Sequence, residues 1–99
     1  MRVIAETRTT FRSEAEAAVT DLGAKSDEIM ARQPGFVSLR RYRRIGHPEV
    51  LVLVEWESLA AHQACQAAPD WAPLWPTWQK LQGSGEISFE MRLLGAVEP

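Results

Sequence analysis

The clearest pattern of hydrophobic and polar positions lies near the middle of the chain. Val50 to Val54 is apolar at every position, which is typical of a strand covered on both faces. Trp56 stands between two glutamates, and Ser58 is a residue type that commonly caps the start of a helix. The pattern therefore predicts a buried strand, Val50 to Glu57, followed at once by a helix from Leu59 to about Ala67. The junction between them is the first place to look for a site.

Two strands and one helix are predicted before this strand. Small or β-branched residues alternate with polar ones in a first strand, and apolar residues then recur at helical spacing. Ser13 with Glu16 has the form of a capping box, and Gly23 suggests a bend or a close contact inside the helix. The predicted bounds are Arg2 to Thr10 for the first strand, Ser13 to Gln33 for the first helix and Phe36 to Ile45 for the second strand.

After the central strand and its helix, Asp70 is placed to cap a further helical segment that runs to Leu81. We expect a break or kink at Pro76, which has no N–H to donate. The final strand, Glu86 to Leu94, alternates cleanly, so that Ile87, Phe89, Met91 and Leu93 should form a dry face.

The element order is β-α-β-β-α-β, which predicts an α+β, ferredoxin-like fold: an antiparallel sheet with the helices on one face. The connection at 46–49 is short, so the second and third strands should form a hairpin. In the second strand, Val37 and Leu39 should face one side, and Phe36 and Tyr42 the other. The face of the sheet without helices predicts a homodimer in which two sheets pack together.

Length and composition narrow the protein class. The 99 residues are expected to form a single domain spanning 1–99, with 45% hydrophobic residues as in globular proteins. A net charge of −2 and a pI near 5.6 argue against nucleic-acid binding. The longest apolar run is far below the roughly 20 residues that span a membrane. Cys65 has no partner for a disulfide, and no signal peptide is evident, so we expect a cytoplasmic protein.

Pro34-Gly35-Phe36, Trp56-Glu57-Ser58 and Ala61-His62 together resemble the antibiotic biosynthesis monooxygenase family of dimeric α/β barrels. The predicted element order agrees with that family over nearly the whole chain. The resemblance implies a small-molecule enzyme of a family that includes cofactor-independent oxygenases of anthrones, quinol oxygenases and haem-degrading enzymes. The anthrone oxygenases pair the strand-end Trp, here Trp56, with an Asn and a Tyr, at whose positions this chain has Val52 and His62. The haem-degrading members use an Asn on the first strand, and this chain contains no Asn.

Each candidate residue has a functional and a structural interpretation. Trp56 could position a flat aromatic substrate or be a core residue, and His62 could be a general base or a solvated helix histidine. Trp71 and Trp75 could wall an apolar pocket or pack on the sheet. Tyr42 could bind a substrate oxygen or pack across strands.

Other side chains are less indicative of a site. The cluster Arg40, Arg41, Arg43 and Arg44 could bind an anion, but we interpret it as a solvated edge with Glu49, Glu86 and Glu90 as candidate partners. We interpret Cys65 as structural. With two histidines far apart and no cysteine pair, no metal site is predicted.

These observations favour a monooxygenase that needs no cofactor and acts on an aromatic, quinol-type or polyketide molecule. His62 and Trp56 would be its catalytic residues, and Trp71, Trp75, Tyr42 and Val52 would contact the substrate. The alternative is a non-catalytic dimeric protein that binds a hydrophobic metabolite, and haem degradation is a third, weaker hypothesis.

Overall fold

The computed structural model describes residues 1–97 and contains a four-stranded antiparallel sheet with the helices on one face. The strands are β1 (Val3–Phe11), β2 (Phe36–Arg43), β3 (Glu49–Trp56) and β4 (Ile87–Gly95), and the helices are α1 (Glu16–Ala31), α2 (Leu59–Gln66) and α3 (Trp75–Gly83). The strand order is β2-β3-β1-β4. The predicted ferredoxin-like arrangement is confirmed.

Strand β3 is an inner strand of the sheet and lies between β1 and β2. Val52 is paired with Thr7 and Arg41, and Trp56 lies opposite Val3 and Phe36. Alternate residues of β3, from Val52 to Trp56, point to the helices and are buried. The predicted strand from Val50 to Glu57 is therefore correct to within one residue at each end.

A register shift near the start of β2 decides which of its side chains face the helices. The shift lies between Phe36 and Ser38, so that Phe36 and Leu39 share the helix-covered face. The prediction that placed Phe36 with Tyr42 is therefore wrong, because one extra residue at a bulge moves the preceding side chain to the other face. Tyr42 itself lies opposite Leu51 on the face without helices.

The helix starts follow the predictions only in part. Ser58 caps α2 as predicted, its Oγ accepting a hydrogen bond from the Ala61 N–H at 3.1 Å. Ser13 caps nothing, because it lies inside a 3-10 turn, Ser13–Ala15, that precedes α1. Glu16, the expected partner in that capping box, forms an ion pair with Arg43 instead.

The last helical segment is divided as expected, although the break falls just before Pro76. A 3-10 turn, Pro69–Trp71, is followed by α3, whose first turn contains Pro76. Proline is tolerated there because the first N–H groups of a helix have no intrahelical acceptor. Asp70 does not cap a helix: its Oδ2 accepts hydrogen bonds from Gln33 and Arg32 at the end of α1.

Strand β4 is less covered than its alternation suggests. Ile87 is buried in the cluster that contains Leu81 of α3, but Phe89, Met91 and Leu93 are 39–46% exposed. The predicted dry face is therefore wrong beyond Ile87, because β4 is an edge strand that the helices cover only partly: Trp78 of α3 packs edge-on against Phe89 at 5.9 Å, yet Phe89 stays 42% exposed. This incomplete cover leaves an opening between the helices and the sheet.

None of the helices within residues 1–97 is long and apolar enough to cross a membrane. The cytoplasmic location stays a prediction.

Gly35 holds the turn before β2 against the start of α2. Its φ is +85°, and its carbonyl accepts the Glu57 N–H at 2.8 Å. A Cβ at this position would lie 2.5 Å from the Cβ of Ala61. The Pro34-Gly35-Phe36 turn is thus built around a close approach that only glycine allows.

We expect Gly35→Ala to lower the free energy of unfolding by about 2–5 kcal/mol, through backbone strain and overlap with Ala61. Gly46→Ala is the matched control, because Gly46 also has a positive φ, +78°, but has open space around it. That control should lose only about 1–2 kcal/mol. Urea unfolding measures both, and equal losses would contradict the role of the close approach.

Candidate active site

A cavity of about 410 Å³ lies between the sheet and the helices, and all four strands and all three helices contribute to its wall. Its lining is mostly apolar and includes all four tryptophans: Trp56, Trp71, Trp75 and Trp78. A cavity of this size and character suits a small, largely apolar ligand.

Five of the six predicted site residues line this cavity. They are His62, Trp56, Trp71, Trp75 and Val52. The sixth, Tyr42, is 49% exposed and lies on the opposite face of the sheet. The structure does not bring Tyr42 to the cavity, so the prediction that it contacts a ligand there does not hold.

Trp56 and His62 meet where β3 leads into α2. The indole is 1% exposed and the imidazole 5%, and their ring centroids are 6.2 Å apart in an edge-to-face arrangement. Phe36 packs edge-on against the other side of Trp56 at 5.9 Å. Ser58 sets the position of His62, because the helix that Ser58 caps carries His62 on its first turn.

Three buried polar atoms of cavity-lining residues have no hydrogen-bond partner within residues 1–97. They are Trp56 Nε1, His62 Nε2 and Ser26 Oγ. A buried polar group without a partner costs about 1–3 kcal/mol, so such groups are uncommon and often belong to functional sites. All three atoms belong to side chains that line the cavity.

His62 is a buried neutral imidazole. Burial lowers its pKa below the ordinary 6.5 by disfavouring the charged form. One ring nitrogen of a neutral imidazole accepts a hydrogen bond, and that nitrogen can take up a proton. The interpretation of His62 as a solvated helix histidine is therefore wrong.

The side chain of Trp71, which forms part of the cavity wall, is held in place by its neighbours. Its Nε1 donates a 2.7 Å hydrogen bond to the carbonyl of Cys65, and its ring lies 6.1 Å from that of Trp75. Burial raises the pKa of the Cys65 thiol, which keeps it protonated and agrees with a structural role.

The arginine cluster divides between the two faces of β2. Arg41 lines the cavity and pairs with Asp27 of α1, and Arg43 pairs with Glu16. Of the expected glutamate partners, Glu49 alone forms an ion pair with the cluster within residues 1–97, with Arg44 at 3.6 Å.

Sequence reasoning did not identify the contribution of α1 and of Arg41 to the cavity. The sequence feature that pointed toward this contact is Gly23, which suggested a close contact inside the helix. In the structure, the Arg41 guanidinium occupies the space that a Cβ on Gly23 would need. Within residues 1–97, no group of three or more His, Cys, Asp or Glu side chains could hold a metal ion.

Solved structures with the same fold include proteins of the same size. SnoaB, a cofactor-independent oxygenase from Streptomyces nogalater, is 23% identical with a TM-score of 0.79, over 99% of this chain and 95% of that chain. Rv0793 from Mycobacterium tuberculosis is 15% identical with a TM-score of 0.81, over 100% and 98% of the two chains. A conserved protein from Methanosarcina mazei Go1 is 12% identical with a TM-score of 0.79, over 95% and 91%.

No curated protein sequence matches the chain. The sequence model of the antibiotic biosynthesis monooxygenase family matches residues 2–73, which include the first three strands, α1, α2 and all of the motif residues. The chain therefore belongs to the antibiotic biosynthesis monooxygenase family.

Proposed function

We propose that this protein is a monooxygenase that uses no cofactor and acts on an electron-rich aromatic molecule of the quinol or anthrone type. The observation that carries the proposal is the buried, neutral His62 with an unpartnered Nε2, placed beside Trp56 in an apolar cavity. SnoaB, which shares the fold, is a cofactor-independent oxygenase, and this supports the same type of chemistry here.

The proposed reaction begins with proton transfer to His62. A phenol O–H or an anthrone C–H gives its proton to the imidazole, and the resulting phenolate or carbanion donates an electron to O₂. Recombination of the two radicals forms a C–O bond, and loss of water leaves a carbonyl. For an anthrone the methylene carbon supplies all four electrons, one oxygen atom enters the new carbonyl, and the other leaves as water with the two hydrogens.

The other cavity residues shape this chemistry. The unpartnered Trp56 Nε1–H is a donor for the substrate oxygen on which negative charge develops after deprotonation. Trp71 and Trp75 form one wall against which a flat ring can pack, and Val52 contributes to the sheet side. The apolar lining excludes water, which strengthens the hydrogen bond to the developing anion.

A non-catalytic binding protein is the second candidate. Val52 and His62 stand where the anthrone oxygenases that the sequence resembles have Asn and Tyr, so the chain lacks two polar groups of that site. In this case the same cavity would hold a hydrophobic metabolite without consuming O₂. The haem hypothesis has less support, because the chain has no Asn, and it would require a Soret band on addition of haemin.

We expect the purified protein to consume O₂ in the presence of anthrones or hydroquinones. His62→Ala should lower kcat about 10²- to 10⁴-fold, because it removes the base. Trp56→Phe should lower it less, because the ring remains while the donor is lost. Oxygen-electrode measurements test both.

Tyr42→Phe is the control for this assay, since Tyr42 lies on the opposite face of the sheet and its loss should leave uptake unchanged. Unchanged turnover in His62→Ala would exclude the proposed base. Ligand binding without uptake by the unaltered protein would establish the binding-protein alternative instead.

The pH dependence of kcat/KM should show an acid limb below pH 6.5. Burial lowers the pKa of His62, so the imidazole stays unprotonated, and able to accept a proton, to a lower pH than an exposed histidine would. Activity is then retained through neutrality and lost as the pH falls through the lowered pKa. An acid limb above pH 6.5 would contradict the assignment of His62, and His47→Gln, an exposed histidine, should not alter the profile.

We also propose that the protein is a homodimer formed through the face of the sheet without helices. That face carries the apolar side chains Ile4, Leu51, Leu53 and Leu94. Charged side chains lie among them, because Glu55 is opposite Ile4 and Glu6 is opposite Leu53, and Glu55 pairs with Arg2 at 2.7 Å. Apolar side chains on a sheet face that no helix covers favour association with a second copy.

Leu53→Glu should convert the dimer to a monomer, because it places a charge among the apolar side chains of this face. Ile45→Glu is the matched control, since Ile45 is 96% exposed in the loop between β2 and β3. Sedimentation velocity distinguishes the two states. A monomer before any substitution, or a dimer that persists in Leu53→Glu with normal circular dichroism, would overturn the proposed interface.

A further inference from the structure

Arg41 places a positive charge in the wall of the cavity. Among the described residues that line the cavity it alone carries a formal charge. It projects from β2 onto the helix-covered face, and its backbone position is paired with Val52. Val52 is four residues from Trp56 along β3, which places the two positions about 13 Å apart at 3.3 Å per residue. Arg41 therefore lies well separated from the Trp56–His62 pair.

The guanidinium of Arg41 is held in place by α1. Its Nε and Nη2 donate to the two carboxylate oxygens of Asp27, at 3.2 and 2.6 Å, and Nη2 also donates to the carbonyl of Gly23 at 3.3 Å. A Cβ on Gly23 would lie 3.0–3.1 Å from Nη1, Cζ and Nη2 alike. These nearly equal distances show that the guanidinium lies flat over Gly23.

This arrangement leaves one edge of the guanidinium free. A guanidinium has five N–H donors, and the hydrogen bonds to Asp27 and Gly23 involve Nε and Nη2. The two N–H groups of Nη1 have no acceptor within the part of the chain that the structure describes. Asp27 does not line the cavity, so a ligand meets the cation and not its counterion.

Ser26 supplies a second donor beside Arg41. It lies three residues after Gly23 and hence on the same face of α1. The residue is 7% exposed, lines the cavity, and its Oγ is one of the three unpartnered buried atoms. Arg41 Nη1 and Ser26 Oγ together offer hydrogen-bond donors, one of them charged, to an anionic group that only accepts, as a carboxylate does.

We infer that the cavity binds an acidic aromatic molecule, whose carboxylate is held by Arg41 and Ser26 while its ring system extends toward Trp56 and His62. This inference rests on the proposed function only for the aromatic class of the ligand. It adds that substrates without an anionic substituent bind less well, and that Arg41 determines this specificity.

The test compares 2-naphthoate with 2-naphthamide, which has nearly the same shape but no charge, by isothermal titration calorimetry at pH 7.5. We expect the unaltered protein to bind the naphthoate roughly tenfold more tightly, as is typical of one charge-assisted hydrogen bond. Rising salt should weaken binding of the naphthoate more than binding of the amide. Arg41→Gln should abolish the difference between the two ligands.

Arg43→Gln is the matched control, because Arg43 faces the same side of β2 but pairs with Glu16 and does not line the cavity. It should retain the preference for the naphthoate. Ser26→Ala is a second variant that keeps the fold, since it removes a hydroxyl without a partner from a helix, and it should weaken naphthoate binding several-fold.

Equal affinities for the two ligands, no binding of either, or an unchanged preference in Arg41→Gln would each overturn the inference. The result is independent of the proposed chemistry, because the assay measures binding without turnover. Failure of every quinol and anthrone to support O₂ uptake would remove the oxygenase and leave the acidic ligand class in place.

Discussion

The burial of Trp56 at the end of β3 is the constraint on which the candidate site depends. The indole is enclosed by the edge of Phe36, by the edge of His62 and by β1. Such a side chain contributes several kcal/mol to folding, of the order of 3–5 kcal/mol when a Trp is truncated to Ala. The same packing that stabilises the core therefore fixes the imidazole relative to the indole.

This packing explains why the motif residues are so closely spaced in the fold. Gly35 must be glycine because its turn lies against Ala61, on the first turn of α2. Ser58 caps that helix two residues after Trp56, so the backbone of His62 is held close to the end of β3. The Pro-Gly-Phe and Trp-Glu-Ser segments are thus two sides of one contact. A site built on such a contact is preorganised, because neither the strand nor the helix can shift alone.

Most of the fold could be predicted from the chain because hydrophobic periodicity and capping chemistry act locally. The apolar run before Trp56 and the cap at Ser58 are visible in a few residues each. The errors arise where tertiary contacts override a local signal. Glu16 pairs with Arg43 from another element instead of completing a capping box, and one extra residue near Phe36 exchanges the faces of β2. Neither event has a signature in the local pattern.

The candidate site was predictable at its strand end and not at its helix end, for a physical reason. Trp56 and His62 follow each other along the chain, so their meeting required only that a strand lead into a helix. Arg41 and Ser26 come from different elements, and their meeting depends on a glycine that lets a guanidinium lie flat on α1. In a run of four arginines nothing local distinguishes the one that turns inward from those that remain in solvent. The charge distribution of the cavity, which has the neutral imidazole of His62 and the guanidinium of Arg41 in its wall, is therefore a property of the assembled fold. Val52, which is paired with Arg41, and Trp56, which packs against His62, lie about 13 Å apart along β3. One ligand can therefore meet both side chains only if it is an extended molecule whose acidic group is distant from the end near His62.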